Sequence, residues 1–581
     1  MSSVGSFGSV GSHDSTSESW ARLTVPDSLQ DLLMARLDRL GGNNIVVQMA
    51  SAIGRSFRSD LVSAASGLSD EDVTTELDRL VEAELVYRQG RPPHVSYIFK
   101  HALIQDAAYE SMIKKERARV HASIAECLAS KFPDVIAREP ETQAHHLTEA
   151  GLIDEAIDYW EAAGSRAVQR SNYVEALAHL TRGVELLSQL PESAARDRKE
   201  YRLNVPLGIA TLSLRGYASP ELGELYERRY QLCDRIGDDM GRLHAIWAES
   251  SWRIVRDEQD IARQLADRII ALAEQINDEG ARMEAFFIGQ IVAFYRGELE
   301  AAARYGEAAM ARYDAERCQW HMARLGQHAG VATLSYLSLT QWHLGYADTA
   351  FKTMAQAVEM ARGLAHPFTV AFVLYHAALL NKACRLGNEA QRAGEEQIKV
   401  AQDACFSFWE ATGNLYRAGG LAEQGRFQEA RDALVAVLPR FEAHGAGLGL
   451  PFYRGYLAEA YLGLGDLPQA RATLESAMAA IEKSQERFHE PEVLRLQAVL
   501  ALRSGDEAGA RAHLDRSIAL ARSQSARAWE LRSTTMLAQL LAKSGHAAEG
   551  RDRLAAVYGR FTEGFGTPDL VAAAALLKEI A

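Results

Sequence analysis

Lysine never follows glycine in this 581-residue chain. That excludes the phosphate-cradling GxxxxGK(S/T) loop, whose lysine reaches the outer phosphates of a bound nucleotide. HExxH is missing too, because His489–Glu490 is followed by Pro491 and not by a second histidine one turn on. Neither CxxC nor GxSxG occurs, which removes the short redox and zinc motifs and the nucleophile elbow of the hydrolases. No catalytic residue, cofactor or metal is therefore expected. The cysteines are only five, Cys127, Cys233, Cys318, Cys384 and Cys405. Odd in number and far apart, they read as reduced core thiols. Basic residues are in deficit, 63 against 77 acidic for a net charge of −14, which argues against a nucleic-acid partner. No apolar run reaches the roughly 18 residues of a membrane span, and no basic-then-apolar leader opens the chain. A cytoplasmic protein with no membrane partner is expected.

What is present is a repeat. Glycines stand at Gly425, Gly465, Gly505 and Gly545, one every 40 residues, and after each the same register returns. Counting on five, nine, thirteen and sixteen gives Ala430, Leu434, Leu438 and Phe441 in one unit and Ala470, Leu474, Met478 and Ile481 in the next. Such offsets put these side chains on one face of a helix, and the small residue that opens the face lets a second helix approach closely. The glycine supplies the positive φ that ends the preceding helix. A helical hairpin of this kind cannot bury its face alone, so neighbours must stack into a solenoid. The 48% hydrophobic content, delivered mainly by Ala and Leu, favours helix in the same way. A tetratricopeptide hairpin has about 34 residues, so each unit here carries helices about one turn longer apiece, or looser linkers.

Residues 1–24 are rich in Ser and Gly and form a tail that cannot bury enough to stay ordered. From Val25 the pattern VPDSLQDLLMARLDRL is helical, and further helices are expected at about 45–53, 60–65 and 70–83. LVYRQGRPPHVSYIF then reads as two strands around the turn Gly90–Pro93. Helices followed by a β-hairpin make a winged-helix-like domain, 25–113, for which DNA binding is the obvious reading. The helix that would enter the groove opposes it, with Asp70, Glu71, Asp72, Glu76, Asp78, Glu82 and Glu84 against Arg79 alone. Phe99, Leu103, Ala107, Met112 and Ile113 suggest one helix, and Val120, Ile124 and Leu128 another. Residues 114–581 have room for roughly eleven hairpins. The unit after Gly387 breaks the register, with Arg392 and Glu396 at its first two offsets, and is expected to be distorted.

Three features invite a chemical reading. His145 and His146 point about 100° apart on a helix, a poor metal pair, one packing and one facing water. HGAGLGLP, with Gly445, Gly447 and Gly449, lacks the preceding strand and final glycine of a nucleotide loop, and reads as a flexible inter-repeat loop. Trp409–Glu410, His489–Glu490 and Trp529–Glu530 hold equivalent places in the repeat, which favours packing between hairpins while leaving them able to line the concave side.

The segments VPDSLQDLLMARLDRL, YIFKHALIQDAAYESM, ETQAHHLTEAGLIDEAIDYWEAAG and VYGRFTEGFGTPDL together resemble the C-terminal half of a family of large bacterial signalling proteins. In that family a class III adenylate/guanylate cyclase domain is followed by a STAND-type AAA ATPase, a winged-helix-like segment and a long tetratricopeptide-like array. The resemblance runs from Val25 to the end. It implies that His101 of FKHAL is similar to the winged-helix histidine that touches the phosphate of bound ADP. The expected architecture is all-α, a right-handed solenoid of tetratricopeptide-like hairpins behind a small winged-helix-like domain. The expected function is regulatory: a protein, peptide or small inducer is recognised in the concave groove and relayed to an ATPase/cyclase unit on a separate chain or on a part preceding this one. Rival readings are a cyclase by family descent and a winged-helix transcription regulator.

Overall fold

A computed structural model describes residues 44–91, 94–216 and 218–580. The tail and the helix expected after Val25 lie outside these residues. The chain divides into two compact units between Tyr159 and Trp160; the boundary expected at 113/114 falls within the first.

In the first unit the helices Asn44–Ile53, Ser59–Ser66 and Asp70–Glu82 precede a β-hairpin of β2 (Val86–Arg91) and β3 (His94–Phe99). The third helix opens on Ser69, whose hydroxyl accepts from the Asp72 amide, and its acidic first turn suits the positive end of the helix dipole. A short strand that the sequence pattern did not announce, β1 (Ser56–Arg58), pairs antiparallel with β3, giving the order β1-β3-β2. Three residues are too few to display alternation. What fixes β1 is Phe57, buried against Tyr97 and Phe99 with ring centroids 5.9 and 5.4 Å away. Phe99, expected to open a helix, is the last residue of β3; the helix begins at Ala102. The helices Lys114–Lys131, Pro133–Arg138 and Pro140–Ala150 follow.

The second unit is an all-helical solenoid of tetratricopeptide-like hairpins with a regular beat. Helices of 17 residues, such as Ala347–Gly363, Pro367–Ala383, Gly387–Asp403 and Ser407–Glu423, are joined by three-residue turns. Longer helices, not looser linkers, account for the 40-residue period. A residue of positive φ marks the turns at Gly345, Ala365, Arg385, Cys405, Gly425, Gly445, Gly465, Gln485, Gly505, Ser525 and Gly545, a step of 20 throughout. The sequence repeat shows only half of this beat, because glycine occupies chiefly alternate turns. Earlier, Asp257, Asn277 and Gly297 keep the same step, and the short helix Ala315–Leu325 then interrupts it.

The hairpin after Gly387 is not distorted. Its turn residue is Arg385, with φ 61°, and from there the register is intact, burying Ala390, Gly394, Gln397 and Ala401. The same count shows offset twelve, Val437, Ala477, Ser517 and Val557, to be buried beside or ahead of offset thirteen.

Helices alternate in burial. Ala347–Gly363, Phe427–Ala443 and Glu507–Ser523 bury one stripe, whereas Pro367–Ala383, Ser407–Glu423 and Arg527–Lys543 are buried nearly all round. All-round burial requires a second covering layer, and distant hairpins provide it. The Gly447 and Leu448 amides donate to the Val255 carbonyl at 2.9 and 3.0 Å, and the Arg487 amide donates to the Tyr295 carbonyl at 2.8 Å. Both contacts join residues 192 apart (447 − 255 and 487 − 295). Thr349 and Glu563 meet in the same way, amide to carboxylate at 2.8 Å. The loop Gly445–Gly449 is therefore pinned to another hairpin, not loose, and the inner helices are covered largely by the chain's own residues. Four cysteines are buried as expected; Cys405, on a turn, is exposed.

Candidate binding site in the solenoid interior

The inner helices send aromatic side chains toward a common interior. Phe294 meets Phe488 at 4.8 Å, Trp342 meets Trp529 at 4.9 Å, and Tyr375 meets Tyr416 at 5.1 Å, mostly edge to face. Trp409, His489 and Trp529 are buried in this layer. Trp409 also lines a cavity of about 60 Å³ together with Val255, Tyr295, Tyr336, His376, Leu448 and Tyr453. On that measure a water needs roughly 10–15 Å³, so there is room for several waters or one small ring.

The cavity's walls are apolar faces with polar tips. His376 donates from Nδ1 to the Phe372 carbonyl at 2.9 Å, which fixes the tautomer and leaves Nε2 a lone-pair acceptor without a protein partner. Burial pushes its pKa down to about 4, so the ring is neutral at pH 7. The Tyr295 and Tyr336 hydroxyls are 3.2 Å apart. Burial raises the Tyr295, Tyr336 and Tyr453 hydroxyls well above the usual range, so they act as neutral donors, not as bases. Behind them, Glu486 accepts from the Gly449 amide at 2.9 Å, and burial followed by the charge of Asp257 raises its carboxyl well above the ordinary value. Burial lifts Asp257 itself to about 6. The geometry can hold a small, largely apolar, neutral group that donates one hydrogen bond.

A second interior hollow is ionic. Lys382 donates to Glu423 at 2.6 Å and Glu459 at 2.9 Å, while Arg532 pairs with Asp569 at 2.5 Å and donates to the Ala383 carbonyl at 2.6 Å. These charges are mutually paired and bind inner helices together.

The sequence-predicted His101 sits at the N-cap of the helix Ala102–Glu110, exposed, with no side-chain cap bond. His145 is exposed and His146 buried, the split expected from their spacing. The sequence reading missed His121, one helix away, whose Nδ1 lies 2.8 Å from Nδ1 of His146. Burial lowers His121 to about 4 and His146 to about 3. Nothing in the spacing of 25 residues signals this meeting, and the same holds for His376 and the tyrosines, which long-range stacking brings together. No described helix is long and apolar enough to cross a membrane.

No known protein family matches the chain by profile. A curated relative, an uncharacterized protein of Rhizobium meliloti (strain 1021), is 23% identical over 530 residues, covering 88% of this chain and 50% of the relative. The chain thus spans about half the length of the curated relative it matches. Among solved structures, a Rap protein complexed with Competence and Sporulation Factor aligns over 64% of this chain and 99% of its own, with 13% identity and a TM-score of 0.46. A Signal Transduction ATPase with Numerous Domains (STAND) protein with a tetratricopeptide repeat sensor, from Pyrococcus horikoshii, aligns over 80% of this chain and 66% of its own, with 12% identity and a TM-score of 0.42.

Proposed function

We propose that the chain is a non-catalytic regulatory module whose solenoid interior recognises a small inducer, or an aromatic side chain presented by a protein or peptide partner. The observation that carries this reading is the neutral His376 acceptor, turned into an aromatic-walled cavity where distant hairpins touch. Drug-sized ligands occupy roughly 300–1,000 Å³, far more than this cavity offers, so a larger occupant must part the contact between Val255 and Leu448. Packed interfaces respond to such parting collectively, which gives binding a structural readout. The three helices and three-stranded sheet that open the first unit support a winged-helix-like relay, and the acidic third helix disfavours DNA. By the sequence resemblance, the relay ends on an ATPase/cyclase unit elsewhere, and His101 is similar to that family's nucleotide-sensing histidine.

Indole and phenol are suitable probes, each a small ring with one donor. Both should raise the melting temperature, phenol should also alter tryptophan fluorescence through Trp409, and His376→Phe should abolish these effects. If neither probe shifts either signal at millimolar concentration, the interior is not a binding site.

A further inference from the structure

We propose that His121, His145 and His146 form a three-imidazole site for a borderline divalent transition-metal ion such as Zn²⁺. One ring nitrogen from each lies within 4.8 Å of the others, on the helices Lys114–Lys131 and Pro140–Ala150 of the first unit. The inference is independent of the solenoid cavity.

His121 and His146 are 0% and 1% exposed, and their δ nitrogens face each other at 2.8 Å. Two neutral imidazoles can share that axis only by placing one proton between two lone pairs. A metal ion can take the proton's place. With Zn–N bonds of roughly 2.0–2.1 Å, tetrahedral ligand nitrogens stand about 3.3 Å apart, so the His121 and His146 rings need to part by about half an ångström and the exposed His145 ring to swing in by up to about 1.5 Å. His145, adjacent to His146 and thus turned about 100° around the helix, approaches from the other side, its ring 5.6 Å from that of His121. Being exposed, it gives the ion an entry path and leaves a fourth position toward water.

An outer partner is already in place. The Tyr109 hydroxyl lies 3.0 Å from Nε2 of His121 and can accept the Nε2 proton once Nδ1 is a ligand, the usual way a ligating histidine is oriented. The nearby cation Arg117 is tied down, its Nε donating to the Met112 carbonyl at 3.0 Å and its guanidinium over the Tyr109 ring. An all-nitrogen set favours Zn²⁺, Cu²⁺ or Ni²⁺ over Mg²⁺ or Ca²⁺.

The test uses the full chain purified without a polyhistidine tag, titrated calorimetrically with Zn²⁺ and spectroscopically with Co²⁺. One ion per chain and the visible absorption of four-coordinate Co²⁺ are expected. His145→Ala removes an exposed ligand without opening the core and should weaken binding by more than about 100-fold. Tyr109→Phe should weaken it by about tenfold, the range of an outer-shell partner. Wild-type chain that takes up no Zn²⁺, or His145→Ala that binds as wild type does, overturns the site and leaves a plain hydrogen bond between two core histidines.

Discussion

At the residue scale, the most consequential feature of the second unit is a carboxyl group where no charge belongs. Glu486 is fully buried and shares its surroundings with Asp257. Both have folded-state pKa values raised above their unfolded ones. The stability each contributes is complete below the unfolded pKa, about 4, and is lost as pH rises toward the folded value, because the unfolded chain then releases protons the folded chain must keep. Glu486→Gln should therefore be near neutral at pH 4 and increasingly stabilising as pH rises to 7.5. The Gln carbonyl can still accept from the Gly449 amide. Urea unfolding of both chains at the two pH values checks this, and a constant difference between them would contradict it.

At the element scale, the helices Gly387–Asp403 and Ser407–Glu423 show how glycine sets interhelical distance. A Cβ on Gly413 would stand 2.9 Å from the Gly394 carbonyl oxygen, and one on Gly420 would stand 2.6 Å from that of Gly387. These obstacles are backbone and cannot swing aside. Gly413→Ala and Gly420→Ala should each cost about 1–3 kcal/mol despite the better helix propensity of alanine. Gly363→Ala, with nothing within 4 Å, should cost nothing and gain up to about 1 kcal/mol. Denaturant midpoints of the three variants decide. The same pair of helices marks the limit of what the sequence showed. The 40-residue glycine beat at Gly425, Gly465, Gly505 and Gly545, with its small-residue register, was legible because a left-handed turn and a close helix crossing both demand particular residues. At Arg385 the turn is made without glycine, so counting from Gly387 misplaced the register by two and suggested a distorted unit. β1 was invisible because it is defined by its partners and not by its own pattern.

At the scale of the whole molecule, hairpins about 190 residues apart lean on one another, and this sequestered the candidate site from sequence reasoning. Local periodicity predicts which face of a helix is buried; it carries no information on what arrives from the far end of the solenoid. Trp409 thus reads as a packing residue, and His376 gives no signal in the sequence, until Val255 and Leu448 are seen to line the same cavity. The closure depends on Gly447, where a Cβ would meet the Asp257 Cβ at 2.7 Å and the Arg256 carbonyl oxygen at 3.1 Å. Gly447→Val should push that contact apart while leaving each hairpin intact, at a cost of about 1–3 kcal/mol for the overpacked junction. Hydrogen exchange is the discriminating measurement. The Gly445–Leu448 amides should lose protection by about ten- to a hundredfold, as that cost implies, while amides within Ser407–Glu423 keep theirs. If indole then binds the variant more tightly than the wild type, opening the junction limits access to the interior; unchanged affinity would mean that the cavity fills without parting the turns.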